Sequence, residues 1–308
     1  MKGLKSILVL SLGLFFGQLL YGQVDSTYLE SVEEEIANTE LTLINVKDNF
    51  YLISSEMGGN ILAFVGSEGL TLVDNQWAVL VLRIKELLTS ISHLPVCRVI
   101  DTHYHFDHTD GNKVFRRDGV PVFAHQNTLN RLSTDQVISP PFHILQKAYS
   151  RESLPTITFK HSMTIYDSQE EIELIHVPNA HTDGDVVVHF KKADVYHTGD
   201  IFVTYGLPFI DENNGGDIYA MIEAIEHLIS VSGPETMFIP GHGPLCTLED
   251  VKEYRDLLVN VREQVLTCIS EGLNMEETLP RVKVDPGDEG ISMDHSIKHM
   301  YRMAQKHK

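Results

Sequence analysis

The stretch that decides the fold is Asp101-Thr-His-Tyr-His-Phe-Asp-His-Thr-Asp-Gly-Asn112. Four side chains able to ligate a metal, His103, His105, Asp107 and His108, fall within six consecutive positions. On a helix they would scatter around the axis; in a strand His103, His105 and Asp107 share a face and His108 points away. The spacing predicts a strand ending in a tight loop at Phe106, which aims two ligands at one point and two at a neighbouring point, as a pair of metal ions requires. Imidazole and carboxylate suit zinc, with manganese and iron as competitors. A polar surface loop would also collect such residues, and 16 histidines in 308 residues make some clustering expected. The spacing His-x-His-x-Asp-His, directly after the apolar run 96–100, is far more particular than enrichment and favours the metal reading.

Outward from the motif, short apolar runs at 41–46, 50–54, 60–65 and 70–74, parted by glycine turns, predict a strand meander. Residues 79–91 carry apolar side chains at helical spacing, and 96–100 is the next strand, so the motif sits at a strand's C-terminal end, where open α/β sheets place ligands. Downstream, 111–117 and 126–132 read as helices and 120–124 as a strand. Residues 138–158 are irregular, either a flap over the site or a surface excursion. Strands return at 162–166, 172–177, 186–190, 194–197 and 237–240, with a helix at 218–229. Thr247-x-x-Asp250 resembles a capping box opening a long helix, and 292–305 reads as a final helix. Two successive sets of strands followed by helices predict two packed sheets with helices outside.

The first 22 residues stand apart. Lys2 and Lys5 precede a short apolar run, 7–16, and Gly22 supplies a small residue, which is the pattern of a secretory signal peptide. The run is too short for a spanning helix, which needs about 20 apolar residues. Residues 23–308 have no low-complexity linker or repeat and read as one domain, with a core over about 41–270. Removing the two lysines moves the net charge from −19 to −21 (−19 − 2), which argues against nucleic acid or an anionic membrane surface as partner. A small-molecule substrate and a periplasmic or secreted location are expected. Cys97, Cys246 and Cys268 form no disulfide framework; all three read as structural, with Cys97 and Cys268 buried.

Three later positions join the motif: His181 in Val177-Pro-Asn-Ala-His-Thr-Asp-Gly184, Asp200 in Val195-Tyr-His-Thr-Gly-Asp200 and His242 in Ile239-Pro-Gly-His-Gly-Pro244. Each lies at a strand-to-loop junction beside glycine, where backbone can turn close to an ion. Each alone is weak evidence; in this order and together they are strong. The set resembles the metallo-β-lactamase superfamily over roughly 41–270. The resemblance implies an α+β, four-layer αββα sandwich with a dinuclear zinc site between sheet edges. It implies that His103, His105 and His181 hold one metal, that Asp107, His108 and His242 hold the other, and that Asp200 bridges them. Asn179-Ala-His181 departs from the family's frequent Gly-His. Asp200, where zinc β-lactamases usually have another residue, resembles the glyoxalase II, lactonase and sulfur-oxidation-associated branches, so a β-lactam substrate is not favoured.

The expected chemistry is attack of a metal-generated hydroxide on the carbonyl of an ester, lactone, thioester or amide, and the resemblance implies that Asp107 is the catalytic residue that orients the nucleophile. The competing readings are a true β-lactamase, an iron-dependent oxidoreductase acting on oxygen or persulfides, and a metal-binding scaffold without activity. Among the other histidines, His176, His189 and His227 read as solvated or hydrogen-bonded. His197, two residues from Gly199, is the best candidate to support a ligand, although a structural strand role competes. Tyr205, Phe209 and Asp211 are candidate pocket-lining residues.

Overall fold

Residues 27–290 and 293–306 are described in the structure, a computed structural model. The segment 1–22, expected to be a signal peptide, lies outside the described residues. The acidic segment 30–40, its Glu side chains exposed, lies largely in helix α1 (Tyr28–Asn38), whose Val32 and Ile36, four residues apart, turn one face toward Leu80 and Val81. The meander follows as β1 (Thr42–Lys47), β2 (Phe50–Ser54), β3 (Ile61–Val65) and β4 (Leu70–Val73), paired antiparallel in sequence order. Helix α2 (Val81–Ile91) crosses to β5 (Val96–Ile100). Then come α3 (Phe106–Thr109), α4 (Asn112–Arg117), β6 (Val122–His125), α5 (Gln126–Leu132), a small hairpin β7 (Gln136–Val137) with β8 (Leu145–Gln146), and β9 (Ile157–Phe159). Strands β5, β6 and β9 continue the first sheet in parallel, giving the order β1-β2-β3-β4-β5-β6-β9.

The second sheet is built from β10 (Ser162–Tyr166), β11 (Glu171–Val177), β12 (Asp185–Phe190), β13 (Val195–His197), β14 (Met237–Ile239) and β15 (Cys246–Thr247), in that order. Helix α6 (Ile218–Val231) connects β13 to its parallel neighbour β14. After β15 come α7 (Leu248–Ser270), α8 (Met275–Thr278) and α9 (Met293–Lys306). Thr247 and Asp250 close the expected capping box on α7.

The alternation of each strand sorts side chains into three cores. Phe50, Leu52, Phe64 and Ile100 of the first sheet meet Leu174, Val188, Phe190 and Ile239 of the second. Phe50 stacks on Phe64 at 4.8 Å and meets the edge of Phe190 at 5.1 Å. Outside the first sheet, Leu72 and Val99 pack against Leu80, Ile84 and Leu88 around α2. Outside the second, Val187, Tyr196 and Phe238 pack against α6, α7 and α9 through Met221, Leu258 and Met300. The order helix, sheet, sheet, helix is the αββα sandwich that the sequence implied. Cys246 and Cys268 are buried, Cys97 is only half-buried, and none of the three forms a disulfide. No helix of the described residues is long and apolar enough to cross a membrane.

Candidate metal centre

The motif does not continue the strand to Phe106. β5 ends at Ile100, and His103 and His105 stand on the loop that follows, while Asp107 and His108 ride on the single turn of α3. Buried side chains hold that loop. Asp101 accepts from Asn75 Nδ2 (3.1 Å) and Asn112 Nδ2 (2.7 Å), and Asp74, just past β4, accepts from the backbone N–H and hydroxyl of Thr102, each at 2.8 Å. Burial pushes the Asp101 carboxyl well above its usual range, against those two amide hydrogen bonds.

The seven side chains singled out in the sequence lie together at one edge of the sandwich. His105 Nδ1 is 3.1 Å from His103 Nε2 and 2.9 Å from His181 Nε2. Beside this trio, His108 Nε2 lies 3.3 Å from His242 Nε2 and 3.6 Å from Asp107 Oδ2. Asp107 Oδ2 is itself 3.3 Å from His242 Nε2. Asp200 stands between the two groups, with Oδ1 3.2 Å from His108 and Oδ2 3.6 Å from both His181 and His242. Asp107 and His242 are the most exposed members, so a substrate reaches the centre from their side.

Whether these residues suit cations is decided by their outer nitrogens. His105 Nε2 faces Asp211 Oδ2 at 3.0 Å, His181 Nδ1 faces the Phe209 carbonyl at 2.9 Å and His108 Nδ1 faces Asp74 Oδ2 at 2.7 Å. His103 Nδ1 lies 3.0 Å from the Thr102 hydroxyl oxygen, whose own proton goes to Asp74. Acceptors on the outside place each N–H outward and leave each inner nitrogen with a lone pair. Three lone pairs facing one another at about 3 Å repel unless a positive centre stands among them. Asp200 Oδ1 is buried and accepts no hydrogen bond, another buried acceptor that wants a cation. Glycine gives the centre its room: a Cβ on Gly59 would stand 2.2 Å from the His108 ring, and one on Gly241 1.9 Å from Asp200 Oδ1. The donor set and its partners therefore fit two divalent cations.

The two groups differ in charge. Burial lowers His103 well below the usual imidazole range, with His108 and His105 adding to the effect, and takes His181 down to about 4. Burial acts the same way on His108 and His242, but Asp200 and Asp107 outweigh it, lifting His108 well above its usual value and His242 to about 9. Burial pushes Asp107 and Asp200 upward, and the facing His108 and His242 imidazoles more than reverse this, leaving both lowered. One half is a neutral imidazole cage, and the other sets two carboxylates against two imidazoles whose charged forms they favour.

His197 is buried between two ligand loops: its Nδ1 accepts from Gly199 N at 3.2 Å and its Nε2 reaches the Asn60 carbonyl at 3.1 Å. Asn60 in turn donates to Pro240 and Gly243 on either side of His242. Asp211 does not line a pocket; it is fully buried behind His105. Phe209 places its ring 6.1 Å from His105 and 5.8 Å from His181, and Tyr205 stands 6.2 Å from His242. Sequence reading missed Asp74, Asp185 and the role of Asp211. An acidic residue closing an apolar strand (Asp74) or following Asp-Gly (Asp185) was the available signal. Asp185 accepts from the backbone N–H of His181 at 2.7 Å and fixes that turn. Among the described residues, His176 and His189 are engaged elsewhere, with His125 and Tyr196 rings respectively, and His227 belongs to no ligand cluster.

Comparison with known proteins supplies the family and the fold. A family model described as the metallo-beta-lactamase superfamily matches residues 58–245. A linear primary-alkylsulfatase of Pseudomonas sp. (strain ATCC 19151) is 22% identical over 285 residues, covering 76% of this chain and 53% of that protein. The chain thus spans about half the length of that curated relative. Among solved structures, the stereoselective inverting sec-alkylsulfatase Pisa1 from Pseudomonas sp. superposes with a TM-score of 0.65 at 17% identity, over 85% of this chain and 50% of that one. A metallo-beta-lactamase from Pontibacter korlensis superposes with a TM-score of 0.58 at 20% identity, over 72% of this chain and all (100%) of that one. With the family's model matched across the whole region that carries the seven side chains, this chain belongs to the metallo-beta-lactamase superfamily.

Proposed function

We propose that the chain is an exported hydrolase that holds two zinc ions and cleaves uncharged carboxylic esters or lactones. The observation that carries the reading is the convergence of seven ligand groups in two sets joined by Asp200. His103, His105 and His181 would hold one ion, Asp107, His108 and His242 the other, and Asp200 would serve both. Ions held there would supply Lewis-acid chemistry, bringing a water's pKa toward neutrality and polarising an acyl oxygen. Asp107 turns Oδ2 to His108 and His242, which leaves Oδ1 to hold a proton of the attacking water at the exposed side of the centre. Burial and the nearby Asp200 raise the Tyr205 hydroxyl well above its usual value, so it stays protonated on a ring 6.2 Å from that of His242.

The walls favour an apolar, uncharged acyl group over a sulfate. Phe209 faces the first trio, Phe142 meets the edge of Phe209 at 4.9 Å, and Tyr205 faces His242. Among the described residues, no Lys or Arg pairs with any of the seven ligand groups. Export rests on the Lys2 to Phe16 pattern, and N-terminal sequencing of secreted protein that still begins at Met1 would remove that part. The decisive experiment combines elemental analysis with a panel of esters, lactones, β-lactams, thioesters and alkyl sulfates. Two zinc ions per chain with turnover confined to neutral acyl substrates is the expected result. Iron with a visible absorption band, or hydrolysis of alkyl sulfates alone, would overturn it. Asp107→Ala should abolish turnover in protein that still carries both ions; full turnover in such protein would end the role given to Asp107.

A further inference from the structure

The loop between Asp200 and α6 does more than wall the centre. Asp211 is fully buried and its carboxylate is saturated: Tyr104 OH and His105 Nε2 both reach Oδ2, Asn214 Nδ2 donates to Oδ2 at 2.8 Å and Ser139 N donates to Oδ1 at 3.0 Å. Its own backbone N–H donates to the His181 carbonyl at 3.1 Å. Two members of the imidazole trio therefore depend on this one residue. The same residue grips the β7–β8 hairpin through Ser139. That grip is reinforced by Asn213 N to Ser139 Oγ at 2.7 Å, by Asn214 Nδ2 to the Val137 carbonyl at 3.1 Å and by Gln146 Nε2 to the Tyr104 carbonyl at 2.8 Å. The hairpin in turn carries Phe142 onto Phe209.

We propose that Asp211 is a positioning residue that ties the Gln136–Gln146 hairpin to the His105 and His181 half of the centre, so that cation binding there and ordering of the hairpin reinforce each other. The inference rests on the two-cation reading above. Its chemistry is that of an outer carboxylate fixing a ligand's tautomer. With Oδ2 accepting from Nε2–H, His105 offers the Nδ1 lone pair inward. An amide at position 211 could not satisfy all four donors. If its NH2 faced His105, the ring would have to carry its proton on Nδ1 and lose the inward lone pair; if its oxygen faced His105, the NH2 would oppose the Tyr104 hydroxyl or the Ser139 N–H and the charge assistance would be gone. Coupling is reciprocal: what the cation gains from an ordered hairpin, the hairpin gains from the cation.

The test uses the full chain and cobalt(II) or zinc(II) as probe, titrated in competition with a chromophoric chelator, with amide hydrogen exchange of residues 136–146 followed in parallel. Wild type should bind two ions, and loading should slow exchange across the hairpin. In Asp211→Asn, one binding step should weaken by about 10- to 100-fold while the other is kept, the cobalt absorption of the weakened site should change, and loading should no longer slow hairpin exchange. Asp74→Asn, which faces His108 directly and His103 only through the Thr102 hydroxyl, should weaken the other step more and leave the hairpin response intact. Should Asp211→Asn fail to fold, Tyr104→Phe removes one donor to the same carboxylate and should shift hairpin exchange in the same direction. A wild type that takes up two ions with hairpin exchange unchanged, or an Asp211→Asn protein with both affinities intact, overturns this inference alone. A wild type that takes up no cation removes the two-cation reading as well.

Discussion

Gly59→Ala tests the centre at its tightest contact. A Cβ built on Gly59 lies 2.2, 2.5 and 2.6 Å from three atoms of the His108 ring, where ordinary contact begins near 3.4 Å. The gap to be recovered is about 1 Å (3.4 − 2.2 = 1.2). The backbone cannot supply it cheaply, because Gly59 N donates to the Asp107 carbonyl at 3.1 Å and the Gly59 carbonyl accepts from Gln76 Nε2 at 2.6 Å. The imidazole must therefore retreat, and its anchor on Asp74 at 2.7 Å turns that retreat into a tilt of Nε2 away from Asp107 and His242. Metal–nitrogen distances tolerate only about 0.2 Å of error, so a displacement several times larger forfeits a ligand. The expected outcome is loss of affinity in the Asp107, His108 and His242 half by at least the 10- to 100-fold seen when a ligand's orientation is disturbed, or about 1.4–2.7 kcal/mol. Overpacking adds about 1–3 kcal/mol of instability. Equilibrium dialysis with elemental analysis at about ten times the wild-type dissociation constant should give about 1 to 1.4 ions per chain, against nearly two for the wild type. Two ions bound with unchanged affinity would refute both the ligand assignment of His108 and the rigidity argued for this turn.

Other outcomes follow from the same geometry. Stripping with a chelator should abolish turnover and lower Tm, and zinc should restore both; at one hundred times Kd each site contributes about 2.7 kcal/mol to folding, read as a concentration-dependent Tm. The stacked pair His125 and His176, ring centroids 3.5 Å apart, has both pKa values lowered, by burial first and for His125 also by His176. Their neutral forms are favoured in the folded chain, so this stability is complete above the unfolded value of about 6.5 and is lost as pH falls through it toward the depressed folded values. Urea midpoints between pH 7.5 and 5 should fall less for His176→Gln than for wild type, and equal slopes would exclude the pair as the cause. Thr247→Ala should cost about 1 kcal/mol by opening the capping box of α7, measured by urea unfolding, with zinc content unaffected.

The strands and long helices were legible because their signals are periodic and local. The runs at 50–54, 96–100 and 162–166 appear as β2, β5 and β10 at the same boundaries, and the alternation along β12 already separates the face that meets the first sheet from the face that meets α6. The types of the site residues were legible too, since few other reasons bring three histidines and an aspartate into six positions. What stayed hidden were bonds between residues far apart in the chain. Asp74 and His108 are separated by 34 positions, and Asp211 and His105 by 106, and no periodicity encodes such pairings. The strand at 96–100 was placed correctly, but the tight turn expected at Phe106 comes earlier, directly after Ile100, where the Asp74 and Asp101 networks bend the backbone. Helix α1 was missed because its acidic residues mask a narrow apolar stripe centred on Ile36.

Placement of the seven groups along the chain has a consequence for synthesis. The four earliest, His103 to His108, hang from one sheet, and the three that complete them arrive only with the other, the last being His242 beyond β14. The trios are finished at different points: one waits for His181, the other for His242. On the proposed ligand set, a chain that stops short of His242 lacks the second trap for zinc, and full loading becomes a late event that coincides with docking of the two halves.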